Sequence, residues 1–296
     1  MRSGAANVKI WLVAGLMAAC LVVPAVSRAQ GTTNPAQTGG PQASGPLNNA
    51  LSETNTEETN RELIEKNTRN TLGDPAEEAA YKAFHDTSAS EADKKIRLGQ
   101  AFVNKYPASH LTEAVYNELA QTYYAKQDVA NFYVCADKGL ALQPDDVGLL
   151  AMFAWVAPRA YNRDDPDADN KLDKAELYGK RAVRLMDTLP KPAGVTDQQF
   201  ALSKNEELAA AHSGLGLVYF RKGQFEDSVK ELQSATQTAP SPDPTDFFVM
   251  AADFQNLSRY KEAADAFNHC AQIAGPLQQD CKQSAASALK QAAQTK

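Results

Sequence analysis

Between residues 209 and 240 the chain reads AAAHSGLGLVYFRKGQFEDSVKELQSATQTAP, and its apolar residues fall into two runs with helical spacing. Leu215, Val218 and Tyr219 share one face of a first helix, three and four residues apart. Phe225, Val229, Leu232 and Ala235 do the same on a second. Gly216 and Ser228 are small where two antiparallel helices must approach closely. Arg221 and Lys222 favour the dipole at the end of the first helix, and Gly223 ends it. Pro240 cannot continue the second. A single hairpin of this kind leaves its apolar face bare, so the pattern must recur.

It does recur. Residues 113–146 carry Tyr116, Leu119, Ala120 and Tyr123, a turn at Gln127, then Val129, Phe132, Ala136, Gly139 and Pro144. Residues 244–276 carry Phe247, Met250, Ala251, Phe254, Tyr260, Ala263, Phe267 and Cys270, and end in Gly275-Pro276. Two more degenerate units span 75–107, with Tyr81, Phe84 and Phe102, and 147–188, with Leu150, Phe153, Ala154, Ala175, Gly179 and Ala182 around an enlarged loop. His212, Leu215, Gly216, Tyr219, Gly223, Phe225, Ser228, Leu232, Ala235 and Pro240 stand in the places of a tetratricopeptide repeat (TPR), with His for Trp and Ser for Ala. The 209–240 unit therefore resembles that family, and the units recur near its period of about 34 residues.

The resemblance implies an all-α fold, a right-handed α-solenoid of TPR-like helical hairpins over residues 75–296, with repeats at 75–107, 113–146, 147–188, 209–240 and 244–276. A C-terminal capping helix follows at 277–294. Ten or eleven helices are expected, one of them unusually long over 196–222, where no breaker interrupts the sequence. The resemblance also implies a non-enzymatic scaffold that binds another protein or peptide through the concave face of the array. First helices line that face, so Asn117, Gln121, Tyr124 and Ser213 are the expected partner-binding residues. The turn Tyr106-Pro107-Ala108-Ser109 is similar to turns in TPR proteins of the bacterial envelope, which points to envelope assembly.

The N-terminus agrees with export. Arg2 and Lys9 precede an apolar run, Ile10 to Val26, and Ser27-Arg28-Ala29 is a small-x-small cleavage site, cut after Ala29. A run of about 17 residues is at the bottom of the membrane-spanning range, and no other apolar run approaches it. Residues 1–29 thus read as a secretory signal peptide that leaves no transmembrane span in the mature chain, which becomes periplasmic or secreted. Met17-Ala18-Ala19-Cys20 resembles a lipobox, which gives the competing route of a lipoprotein anchored at Cys20, but the apolar residues after Cys20 continue the signal core. Residues 30–74 read as a polar linker with too little apolar surface to offset its ordering entropy.

The formal charge is −6, and loss of Arg2, Lys9 and Arg28 with the leader makes the remainder more acidic. That excludes nucleic acid and anionic lipid as partners of choice, since both need a basic footprint. In an oxidising compartment Cys270 and Cys281, on either side of the Gly275-Pro276 turn, are candidates for a disulfide that staples the last helix, worth about 2–3 kcal/mol.

Residues 165–176, DPDADNKLDKAE, contain the ligand spacing of a calcium loop: Asp165, Asp167, Asp169, the Lys171 carbonyl, Asp173 and Glu176. Asn170 replaces the glycine that the sharp turn requires. The competing readings are a cation- or small-ligand-binding module centred on this loop, and a solvated acidic loop in which Asp173 caps the following helix. The second carries the expectation of no cofactor. No nucleophile elbow or phosphate loop is present, and His85, His110, His212 and His269 lack metal-ligand spacing, so no enzyme is expected.

Overall fold

A computed structural model describes residues 74–294. Among these are eleven α-helices and no strand: α1 (Pro75–His85), α2 (Ala92–Lys105), α3 (Thr112–Ala125), α4 (Val129–Leu142), α5 (Val147–Arg159), α6 (Ala168–Thr188), α7 (Asp197–Arg221), α8 (Phe225–Thr238), α9 (Pro244–Asn256), α10 (Tyr260–Gln272) and α11 (Gln278–Gln294). A 3-10 turn at Ala89–Glu91 leads into α2. The leader, its cleavage point, Cys20 and the polar stretch to residue 73 lie outside the described residues.

Helices pack as successive pairs: α1 on α2, α3 on α4, α5 on α6, α7 on α8 and α9 on α10, with α11 closing on α10. Second helices meet the next first helix, as α2 meets α3, α6 meets α7 and α8 meets α9. The first helices α5, α7 and α9 also touch in order. Contacts of this strength join only near neighbours in the array, which is the contact pattern of a solenoid of helical hairpins.

Three hairpins share one turn. Gln127, Gly223 and Ser258 have φ of 62°, 73° and 58° between α3/α4, α7/α8 and α9/α10. In each, the next amide reaches back to close the helix end: Asp128 to the Tyr123 carbonyl at 2.9 Å, Gln224 to Tyr219 at 2.9 Å, Arg259 to Phe254 at 2.7 Å. This is the Schellman closure, and only one of the three uses the glycine it favours.

The helix starts are capped by side chains of Asp74, Asp128, Asp146, Thr196 and Asp243. Such caps contribute about 1 kcal/mol each. Thr196 and Gln199 make a full capping box at the start of α7, the longest helix at 25 residues.

The signature residues supply the core. Leu119, Ala120, Tyr123, Leu215, Tyr219, Ser228, Ala235, Ala263 and Phe267 are buried, and Tyr116 and Phe247 pack partly buried against the core. Phe225 and Tyr260 are half-buried at the starts of α8 and α10, while Pro144 and Pro240 are exposed stops. Ser228 takes the alanine slot without leaving its hydroxyl unpaired: it donates to the Gly216 carbonyl at 2.8 Å and meets Asp253 at 2.6 Å. Gly216 is required there, because a Cβ would lie 2.5 Å from Leu232.

Cys270 and Cys281 are bonded, with a Cα–Cα distance of 5.9 Å, and both are fully buried. The bond ties α11 to α10 across a separation of 11 residues. Replacing both cysteines by alanine is expected to cost about 2–3 kcal/mol. Amide exchange should rise most in 278–294, the terminal element, which packs chiefly on α10. Equal exchange in that helix with and without the bond would refute this.

The acidic stretch departs from expectation. Helix α6 starts at Ala168, so Asp169, Asp173 and Glu176 lie on its first turns and not in a loop. Asp173 is inside the helix, not at its cap, and pairs with Lys222 at 2.6 Å. The loop itself is 160–167. Asp165 accepts the Asp167 amide at 3.0 Å and binds Lys171 at 2.6 Å, and Glu176 is held by Lys180 at 2.5 Å and Lys222 at 2.6 Å. Among the described residues no group of carboxylates, cysteines and histidines is placed to hold a metal ion. The physical reason is helical rise: once residues 168–176 are helical, Asp169, Asp173 and Glu176 line one face but are strung along it by about 1.5 Å per residue. Lys222 and Lys180 hold Asp173 and Glu176 there, so they do not converge with Asp165 and Asp167 on one point.

Candidate protein-binding surface

The first helices form a face whose chemistry centres on α5, VGLLAMFAWVAPR. Nearly all of this helix is buried. Gly148, Met152, Trp155 and Arg159 lie four, three and four residues apart, which aligns them as one stripe. Pro158 sits within α5 and brings no amide to the Ala154 carbonyl four residues back. Helix α7 crosses at this point. A Cβ on Gly214 would lie 2.4 Å from the Ala154 oxygen, so the backbones meet where only glycine fits.

Two polar groups flank the crossing. In one, Arg159 joins three first helices. Its guanidinium stacks on the Trp155 ring at 3.9 Å and donates to the Trp155 carbonyl, to Ser213 at 2.8 Å and to Asp243 at 3.1 Å. Asp246 is 3.5 Å away and accepts from Ser213 at 2.5 Å. Tyr124 meets the edge of Trp155 with ring centroids 5.6 Å apart. Burial, and the neighbouring Asp243, push the Asp246 carboxyl up to about 7 against the pull of Arg159 and Ser213.

The other group holds three carboxyls and no ion-paired cation among the described residues. Asp146 caps α5 through the Leu149 amide at 2.9 Å and accepts from Asn117 at 2.6 Å. Gln121 donates to Asn117 at 2.7 Å. Glu113 of α3 hydrogen-bonds to Asp146, and burial with that contact raises it to about 8. Glu207 of α7 is raised to about 7, first by burial and then by Asp146.

The residues expected to bind a partner are therefore placed differently from one another. Asn117 and Ser213 are buried, 7% and 3% exposed, because they tie neighbouring helices together. Gln121 and Tyr124 are half-buried on the same face. Glu113, Asp146, Met152, Arg159, Glu207, Asp243 and Asp246 were missed. In sequence Asp146 and Asp243 look like caps only, and a lone carboxylate on a helix looks solvated. His212 is as structural as its slot suggests, bonded through Nδ1 to Glu231 at 2.6 Å.

No family model matches the chain, and no curated protein matches it. Solved structures do. A thermophilic TPR protein of Thermus thermophilus is similar at 18% identity and a TM-score of 0.45, over 72% of this chain and 98% of that one. The TPR domain of P58(IPK) is similar at 13% identity and a TM-score of 0.30, over 73% of this chain and 65% of that one. Similarity of this order carries no partner and no site residue across. No helix among the described residues is long and apolar enough to cross a membrane. The all-α hairpin array rests on the packing order, the shared turn and the buried signature positions of this chain.

Proposed function

We propose that the chain is a non-enzymatic scaffold of the cell envelope that holds another protein on the face of its first helices. The observation that carries this reading is that face: α3, α5, α7 and α9 are knitted side by side through Asn117–Asp146 and Arg159–Ser213–Asp243. Met152 and the carboxyls of Glu113 and Glu207 lie on it, and among the described residues no cation forms an ion pair with those carboxyls. Stacked hairpins that keep such a continuous surface suit recognition of an extended or helical segment. Export is supported by the leader-like residues 1–29 and by the buried Cys270–Cys281 bond, which suits an oxidising compartment.

The test is capture from envelope extract on the immobilised full chain, beside a variant with Met152→Arg and Gln121→Lys whose helicity by circular dichroism is unchanged. The wild type should retain a protein that rebinds after purification, and the variant should lose it at least about tenfold, an anchor-residue effect of about 1.4 kcal/mol. Equal retention by both moves the site off this face. No retained protein in the wild type ends the scaffold reading.

A further inference from the structure

A cleft of about 380 Å³ opens beside the 160–167 loop, near the lower end of small-ligand pockets at about 300–1,000 Å³. Its walls are Val129, Ala130 and Tyr133 at the start of α4, and Ala157, Ala160 and Tyr161 at and beyond the end of α5. Asp165 and Lys171 border it. The loop is the insertion that lengthens the third repeat; it shares Asp165 and Lys171 with the calcium motif of the sequence, which the fold does not assemble, and the first-helix face does not use it.

We infer that this cleft receives one uncharged aromatic side chain of the protein partner, as an anchor separate from the first-helix face; the inference rests on the scaffold reading. Three observations carry it. First, the polar border is closed on itself. Lys171 binds Asp165 at 2.6 Å and stands 5.1 Å over the Tyr133 ring. A charged occupant has to break that pair, and a free amino acid or organic acid finds no unpaired charge to hold its own. An uncharged side chain leaves the pair intact. Second, the walls favour a ring. Tyr133 and Tyr161 line it, each with a cation over its ring, Lys171 and Arg221, and aromatic pairs gain beyond their buried area. Third, the cleft is built in advance. The Asp164 amide donates to the Asn162 side chain at 3.1 Å, the Asp165 amide to the Asn162 carbonyl at 3.0 Å and the Ala168 amide to the Asp165 carbonyl at 3.0 Å. A wall already ordered spares binding much of its entropic cost.

N-acetyl-L-tryptophanamide is the probe, titrated into the isotope-labelled full chain and followed by amide chemical shifts. Saturable shifts are expected at residues 129–133 and 157–171. N-acetyl-L-leucinamide should bind more weakly and N-acetyl-L-lysinamide not at all. Ala130→Trp, at an exposed position, should fill the cleft and weaken the probe at least about tenfold; Ala160→Phe serves as a second filling variant if the first does not fold. Lys171→Met should keep affinity within about threefold, since the ion pair is a border and not a contact. The inference is overturned by the absence of saturable shifts, by a lysine or leucine probe equal to tryptophan, or by unchanged binding in the filled variant. Retention of the captured partner by Ala130→Trp overturns the anchor and leaves the scaffold standing. Probe binding with no captured protein ends the scaffold reading and overturns the anchor with it.

Discussion

Arg159→Met is expected to destabilise the array by about 3–5 kcal/mol, the range for removing one partner of a buried charged pair. Arg159 touches α5, α7 and α9 together, through Trp155, Ser213 and Asp243, with Asp246 close by. Methionine keeps much of the packing over Trp155, so the loss reports the charge and its hydrogen bonds. Asp246 is then buried beside Asp243 with Ser213 as its remaining donor. For a chain of this size the melting point should fall by about 6–20 °C. The damage should be directional, because hairpin arrays are stabilised by their neighbours. Exchange should therefore rise in α9 to α11 before α1 to α4. Adding Asp246→Asn should restore part of the loss at pH 8 and above and little at pH 5, where the raised Asp246 carboxyl is already neutral. A single variant within about 1 kcal/mol of wild type would show that the guanidinium is solvated in place.

That cluster also marks where reading the sequence stopped. The hairpins were legible because their cores use large apolar residues at helical spacing, broken by Gly223, Pro240 and Gly275-Pro276. The 25-residue α7 was legible for the same reason, as an unbroken stretch. The shared turn was legible only in part, because Gln127 and Ser258 take a left-handed conformation that side chains other than glycine rarely mark.

The first-helix face was less legible. Asn117 and Ser213 were expected in solvent, yet the backbone approach at Gly214 and Ala154 draws α5 and α7 close enough to bury the polar residues around it. Periodicity assigns a residue to a face, and says nothing of how near the next helix comes. The acidic stretch failed for a related reason. The spacing of Asp165, Asp167, Asp169, Asp173 and Glu176 fits a loop motif, but Ala168 onward has the composition of a helix, and the cations that neutralise Asp173 and Glu176 include Lys222, 46 residues or more along the chain.

Mild acid is expected to stabilise this protein. Four carboxyls are raised in the folded state: Glu113 to about 8, and Glu207, Asp246 and Asp253 to about 7. Burial is the first cause in each. Glu113 faces Asp146; Glu207 faces Asp146, Glu206 and Ser203; Asp246 faces Arg159, Asp243 and Ser213; Asp253 faces Ser228. A carboxyl that binds its proton more tightly when folded makes stability fall as pH rises between its unfolded and folded values. For these groups that window runs from about 4 to about 8. A tenfold gain in proton affinity on folding is worth about 1.36 kcal/mol, so a tenfold gain kept by each of the four carboxyls totals about 5 kcal/mol. The melting point should then be about 10–20 °C higher at pH 5 than at pH 8. Surface carboxylates held low by partners, such as Asp86 by Lys82 and Asp165 by Lys171, act in the opposite sense, but only as pH falls through their own lowered values. Stability should therefore peak near pH 5 and decline below about 4. Glu113→Gln with Glu207→Gln should raise the melting point at pH 8 and flatten the profile, because an amide is neutral at every pH in the series. A melting point that is level from pH 5 to pH 8, or one that rises with pH, would mean that these carboxyls keep their water in the folded chain.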